Sequence, residues 1–292
     1  MSGLEYEKSR CPRLFEPQSP NPRDSALPAT DVYNAVMKRQ SSFIKATLFG
    51  FGLCGAYCSL LVPQVSPQPS TINTLTINGL NASLLNRLKG YPNLEVLSIH
   101  CIEPLQALPD DIGQLAKLRE LNMNNGNGCA MNPKLPESIG NLHALEKLDL
   151  YGAQDPTPPG DQPTQRQEFP KSMSQLKALT YLDLGRNGLE EIPDFVRDLP
   201  HLKELGFAWN QEVRNLPRFL GSLPQLQTLR LNADGLTDIP DFVRGPKLLL
   251  ITLGNNCAIT TNAAKQKALE QRFHGVKLDF ENEYDCPDEE VK

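Results

Sequence analysis

The sequence predicts a right-handed α/β solenoid of about eight stacked repeats, with a parallel sheet on the concave side and short helices on the convex side. Three observations carry this. The pattern L-x-x-L-x-L, with Ile, Met or Phe allowed, starts at Ile72, Leu94, Leu118, Leu145, Leu179, Leu202, Leu226 and Leu248. An asparagine, or once its acid, follows at a fixed place: Asn187, Asn210, Asp234 and Asn256. Between copies a second segment recurs, as in Leu108-Pro109-Asp110-Asp111-Ile112-Gly113 and Leu135-Pro136-Glu137-Ser138-Ile139-Gly140.

The fullest copy runs from Leu179 to Leu189 and reads L-x-x-L-x-L-x-x-N-x-L. That is the signature of a leucine-rich repeat. Such a unit cannot bury its apolar face alone, so neighbours stack over a shared core. Side chains alternate along a strand. Leu182 and Leu184 are therefore expected inside, with Tyr181 and Asp183 on the concave face. Asn187 is expected to turn the chain and bond neighbouring backbone, forming a ladder with its equivalents. Proline followed by a polar residue suits the first turn of a short helix. Most repeat starts lie 22 to 24 residues apart.

The pattern L-P-x-x-[IF]-G-x-L-x-x-L-x-x-L-x-L-x-x-N resembles the intracellular leucine-rich repeats of bacterial effector proteins and of plant Ras-group repeat proteins. The resemblance covers roughly residues 70–256. It implies a binding surface, on a fold whose targets differ from protein to protein.

Before the repeats, residues 1–41 are polar and proline-bearing and read as a disordered leader. Residues 42–66 hold an apolar helix and linker. Within it Ala46–Val62 is a run of 17 uncharged residues, preceded by Lys38, Arg39 and Lys45 and closed by Pro63. Three readings stay open. A membrane helix needs about 20 apolar residues, so the run sits at the short limit. A cap over the first repeat is the structural alternative. Gly50-Phe51-Gly52-Leu53-Cys54-Gly55 matches a nucleotide-binding glycine loop, but no strand–helix–strand unit or later acid supports it.

Residues 67–258 are the repeats, interrupted by a proline-rich insertion over 154–167 and a smaller one over 124–132. Residues 259–292 are read as a C-terminal cap and a fraying acidic tail. The cap comprises a short amphipathic helix over 263–273, with Ala264, Ala268 and Leu269 on one side, and a last strand over 276–280.

The net charge of −5 argues against nucleic acid as a partner. The seven cysteines are scattered without metal spacing, and reduced thiols in a cytosolic setting are expected. A Cys257–Cys286 bridge is the alternative. No cofactor or metal site is predicted, and the four histidines read as surface substitutions.

The outward strand positions gather one patch. Tyr151, Tyr181 and Trp209 fall on three consecutive repeats, accompanied by Asp149, Asp183, Glu204, Arg230 and Lys147. Aromatics beside charges are what interface hot spots use. Asp149 and Asp183 should lie about 5 Å apart, one strand spacing. They face an open surface without a pocket, so acid–base catalysis is not expected.

The expected function is protein recognition by the concave face of a monomer. The resemblance implies an effector-like scaffold, cytoplasmic or translocated into a host cell, with membrane association through residues 46–62 left open. A ubiquitin-ligase-type effector is the second class. Cys286-Pro287-Asp288 matches its C-x-D motif, but only 36 residues follow Asn256, too few for a catalytic domain. An adaptor of ubiquitination is the form of that class left open. A eukaryotic intracellular signalling protein is the third.

Overall fold

The computed structural model describes residues 69–78, 82–100, 102, 107–124, 133–153, 169–210, 213 and 215–286. The leader, the apolar run 46–62 and the insertion 154–167 lie outside the described residues, as does all but the first residue of the stretch 124–132. No helix among the described residues is long and apolar enough to cross a membrane.

The fold is one nine-stranded parallel sheet in sequential order. Its strands are β1 (Thr74–Ile77), β2 (Val96–Ile99), β3 (Glu120–Asn122), β4 (Lys147–Asp149) and β5 (Tyr181–Asp183). They continue as β6 (Glu204–Gly206), β7 (Thr228–Arg230), β8 (Leu250–Thr252) and β9 (Lys277–Asp279). The register is that of the repeat. Leu97, Leu121, Leu148, Leu182, Leu205, Leu229 and Ile251 succeed one another across the sheet, each fully buried. A one-residue slip would turn this whole row outward.

The return segments are tighter than the short helices expected. Asp110–Gln114, Glu137–Asn141, Lys171–Gln175, Asp194–Asp198 and Arg218–Ser222 are each a single 3-10 turn. The preceding proline stands just outside the turn, and its carbonyl accepts the first bond, as from Ile139 N to Pro136 O at 3.0 Å. The third residue of each turn is buried: Ile112, Ile139, Met173, Val196 and Leu220. Gly113 and Gly140 allow the turns to stack closely. A Cβ at either would collide with the carbonyl oxygen of Ser138 or Ser172 in the next repeat.

The predicted ladder is present. Asn187 Nδ2 donates to Leu150 O and Leu184 O, both at 3.0 Å. Asn210 Oδ1 accepts from Asn187 N at 3.0 Å and Leu189 N at 3.1 Å. Asp234 Oδ1 accepts from Asn210 N, and Asn256 Oδ1 accepts from Asp234 N and Leu236 N. The residue before each rung is left-handed although none is glycine: Arg186 (φ 53°), Trp209 (φ 68°), Ala233 (φ 56°) and Asn255 (φ 60°). The ladder outweighs the steric cost of about 1–2 kcal/mol that such a residue carries.

The C-terminal end departs from expectation in three ways. Helix α1 (Cys257–Thr260) follows the last rung directly, before α2 (Ala263–Arg272). Asn262 caps α2 by accepting from Lys265 N. The packed side of α2 is Leu269, joined by Phe273 one turn on, while Ala264 and Ala268 are exposed. Residues 281–286 of the tail are bonded to the last repeat. Cys257 and Cys286 are joined by a disulfide, with Cα atoms 5.5 Å apart. The expectation of reduced thiols fails for this pair because β9 returns the chain beside α1.

Candidate partner-binding surface

The strands β4 to β7 set the sequence-predicted residues in rows. Register pairs Lys147 with Tyr181 and Tyr181 with Glu204, then Asp149 with Asp183. Arg230 lies one further strand along, opposite Gly206. Six of the eight predicted residues therefore share the outward face of four adjacent strands.

Four of them, Tyr181, Asp183, Glu204 and Arg230, form one network. Tyr181 Oη donates to Asp183 Oδ2 at 3.3 Å. The Arg230 guanidinium forms an ion pair with Glu204, and its carbon lies 5.9 Å from the Tyr181 ring centre. Lys147 pairs with Glu120 at 3.8 Å. Burial pushes the Asp183 carboxyl above the usual carboxylate range, and the neighbouring Asp149 adds to this, while a hydrogen bond from Gly185 N opposes it. Burial likewise raises the Tyr181 phenol, assisted by Asp183 and Asp149.

Two glycines shape this face, and the sequence carried their signal as gaps in the outward columns. A Cβ at Gly206 would meet the Asp183 carboxylate. One at Gly185 would meet the Tyr151 ring at 2.7 Å. Asp183 and Tyr151 thus lie flat over the next repeat instead of standing out from it.

Tyr151 and Trp209 are not strand residues. Both sit in the turns that follow β4 and β6, on one flank of the sheet. There Trp209 meets a residue the sequence did not single out. Its ring stands edge-on to Tyr284, with centres 5.6 Å apart and planes at 83°. Burial raises the Tyr151 phenol, and the charges of Arg186, Asp183 and Glu283 all reach it, Arg186 in the opposite sense.

Segment 281–286 gets there by a defined route. Gly254 admits it, since a Cβ there would collide with Glu281 O. Asn255 N donates to Asn282 Oδ1 at 2.6 Å, and Asn255 Oδ1 accepts from Glu283 N at 3.0 Å. Asn255 Nδ2 donates to Tyr284 O at 3.1 Å.

The arrangement offers recognition chemistry. Among the described residues no group of three or more His, Cys, Asp or Glu could hold a metal ion. Cys286 Sγ is bonded to Cys257, so the C-x-D cysteine presents no thiolate here. His143 and His201 are exposed on the surface, each beside a buried leucine of its repeat.

One strand and one turn per repeat, a leucine row and an asparagine ladder make this chain a leucine-rich repeat protein. No family model matches the chain, and no curated protein matches it. Among solved structures it is similar to a leucine-rich repeat protein of Leptospira interrogans at 20% identity, over 75% of this chain and 57% of that one, with a TM-score of 0.46. It is also similar to the PEPR1–AtPEP1 crystal structure at 23% identity, over 72% of this chain and 27% of that one, with a TM-score of 0.44. The chain thus spans just over half the length of the first and about a quarter of the second.

Proposed function

We propose that the chain is a protein-recognition module whose working surface is the concave face of β4 to β7. The observation that carries this is the half-buried network of Tyr181, Asp183, Glu204 and Arg230 on an open sheet. Its side chains are held by each other, so little rotamer freedom is lost when a partner closes over them. Aromatic and arginine side chains fixed in this way are the anchors that dominate interfaces.

The finer reading, an effector-like scaffold acting on a host protein, rests on the resemblance of the repeat pattern. The disulfide supports an oxidising setting for the C-terminal cap over a reducing cytosol.

The test is affinity capture by the full chain from eukaryotic lysate, beside a Tyr181→Ala/Arg230→Ala variant and an Arg197→Ala control in a convex-side turn. A protein held by wild type and control and lost by the double variant supports the reading. Equal capture by all three, or none by any, rejects the concave face.

A further inference from the structure

The segment 281–286 does more than close the end of the sheet. Its first half stands where the turn after β9 belongs: Asp279 O at the end of β9 accepts from Leu253 N at 2.7 Å, and Asn282 is bonded to Asn255. That half is a cap. Its second half reaches back across two repeats to Trp209, which a cap does not require. Tyr284 is 63% exposed, one of two large apolar side chains so exposed among the described residues. An exposed ring is ordinarily free to rotate. This one is held by its backbone bond to Asn255, by the edge contact with Trp209, and by the disulfide two residues on.

The charge around it is predominantly negative, with Arg186 as the cation that reaches the neighbouring Tyr151. The segment carries Glu281, Glu283 and Asp285, and Asp183 of the sheet acts on the flanking Tyr151 together with Glu283. Lys147 and Arg230 already pair with Glu120 and Glu204. Aromatic faces among carboxylates attract guanidinium and ammonium groups, by cation–π contact and by charge together.

We propose that Tyr284, held beside Trp209 by the Cys257–Cys286 disulfide, belongs to the partner-binding surface, and that this end of the surface takes a positively charged segment of a protein. The inference rests on the concave-face reading and extends it along the flank to Tyr151, Trp209 and Tyr284. It also makes binding depend on the disulfide. A dithiol reductant reverses it: its thiolate attacks one sulfur, the Cys257–Cys286 bond breaks, and two electrons pass to the protein. The reductant closes to its own disulfide, and both cysteine sulfurs end as thiols. The tail then loses its covalent anchor, and Tyr284 loses the effective concentration that kept it at Trp209.

Trp209 is the chain's single tryptophan and reports the site directly. The oxidised full chain is titrated with an alternating arginine–glycine octapeptide and with its glutamate–glycine counterpart, following tryptophan emission. The expected result is a saturable change with the arginine peptide only. Affinity should fall about fivefold or more in Tyr284→Ala, as for an interface anchor, and after reduction with dithiothreitol. Cys257→Ser/Cys286→Ser should match the reduced protein. Tyr284→Ala removes an exposed ring and spares the core, so it separates a lost contact from a lost fold. Equal affinity in Tyr284→Ala or in the reduced protein overturns the proposal, as does preference for the glutamate peptide or an unchanged emission. A chain that captures a partner through Tyr181 but ignores the peptide sinks this inference alone. One that binds the peptide but captures nothing through Tyr181 sinks only the concave-face reading.

Discussion

Asp234 accepts the backbone N–H of Asn210 at 2.9 Å with one carboxylate oxygen, and its other oxygen is buried without a donor. In Asn210 and Asn256 the equivalent atom is Nδ2, which donates to two backbone carbonyls. Asp234 therefore puts an acceptor where its neighbours put a donor. Burial pushes its pKa well above the ordinary carboxylate value.

Replacing Asp234 with Asn restores the donor and should stabilise the chain at neutral pH by about 1–3 kcal/mol, the usual penalty of an unsatisfied buried group. The gain should depend on pH. A carboxyl whose folded pKa is raised contributes its stability below the unfolded value, near pH 4, and loses it as pH rises through the folded value. Wild type and Asp234→Asn should thus differ least near pH 4 and most at neutral pH. Urea midpoints at the two pH values check this; a gap that does not widen with pH would contradict it.

Asn210 shows the other side of the ladder. Its amide serves Leu184 O and Phe207 O as donor and Asn187 N and Leu189 N as acceptor. Asn210→Ala strands these groups, several of them buried, and should destabilise by about 2–4 kcal/mol. Asn232→Ala, on the outward face beside Thr252, should cost under about 1 kcal/mol, as surface substitutions do. Chemical denaturation of both variants decides the ranking.

Two glycines on the convex side make a matched pair. A Cβ at Gly221 would overlap the carbonyl oxygen of Phe242, whereas nothing lies within 4 Å of one at Gly90. Gly221→Ala should cost about 1–3 kcal/mol, as overpacking does. Gly90→Ala should be neutral or stabilise by up to about 1 kcal/mol. Thermal unfolding followed by circular dichroism should show a loss for Gly221→Ala and none for Gly90→Ala.

The disulfide spans 29 residues of sequence. Cross-linking a loop of that length stabilises by about 3.5 kcal/mol when the whole chain unfolds together. Cys257→Ser/Cys286→Ser should lower stability by that order in calorimetry. A smaller loss in the main transition, with a separate early one, would mean that the cap melts on its own.

The leucine rows and the ladder were legible because each uses one residue type at a fixed spacing. A single chain repeats the statement eight times. Tyr181, Asp183, Glu204 and Arg230 were legible for the same reason, since strand alternation fixes their side. Tyr284 was not. Its place depends on a covalent link between Cys257 and Cys286, and composition gave 281–286 the look of a loose acidic end. The left-handed backbone at Arg186 and Trp209 was hidden too. No glycine marks it, and it is imposed by the rung that follows. On α2, helical spacing put Ala264 and Ala268 beside Leu269, but the rim of the last repeat offers cover only for Leu269 and Phe273.

The rungs of the ladder are 23, 24 and 22 residues apart, and at each joint the side chain of one rung accepts the backbone N–H of the rung before it. The joints are therefore interchangeable. Splicing out residues 187–209 would connect Arg186 to Asn210 and leave a chain in which every remaining rung still finds its mate. A cut of half that length would not. For such a molecule the extent of its surface is a quantity that changes in whole steps, by unequal crossover in a genome or by deliberate editing at the bench, with the two ends carried along untouched.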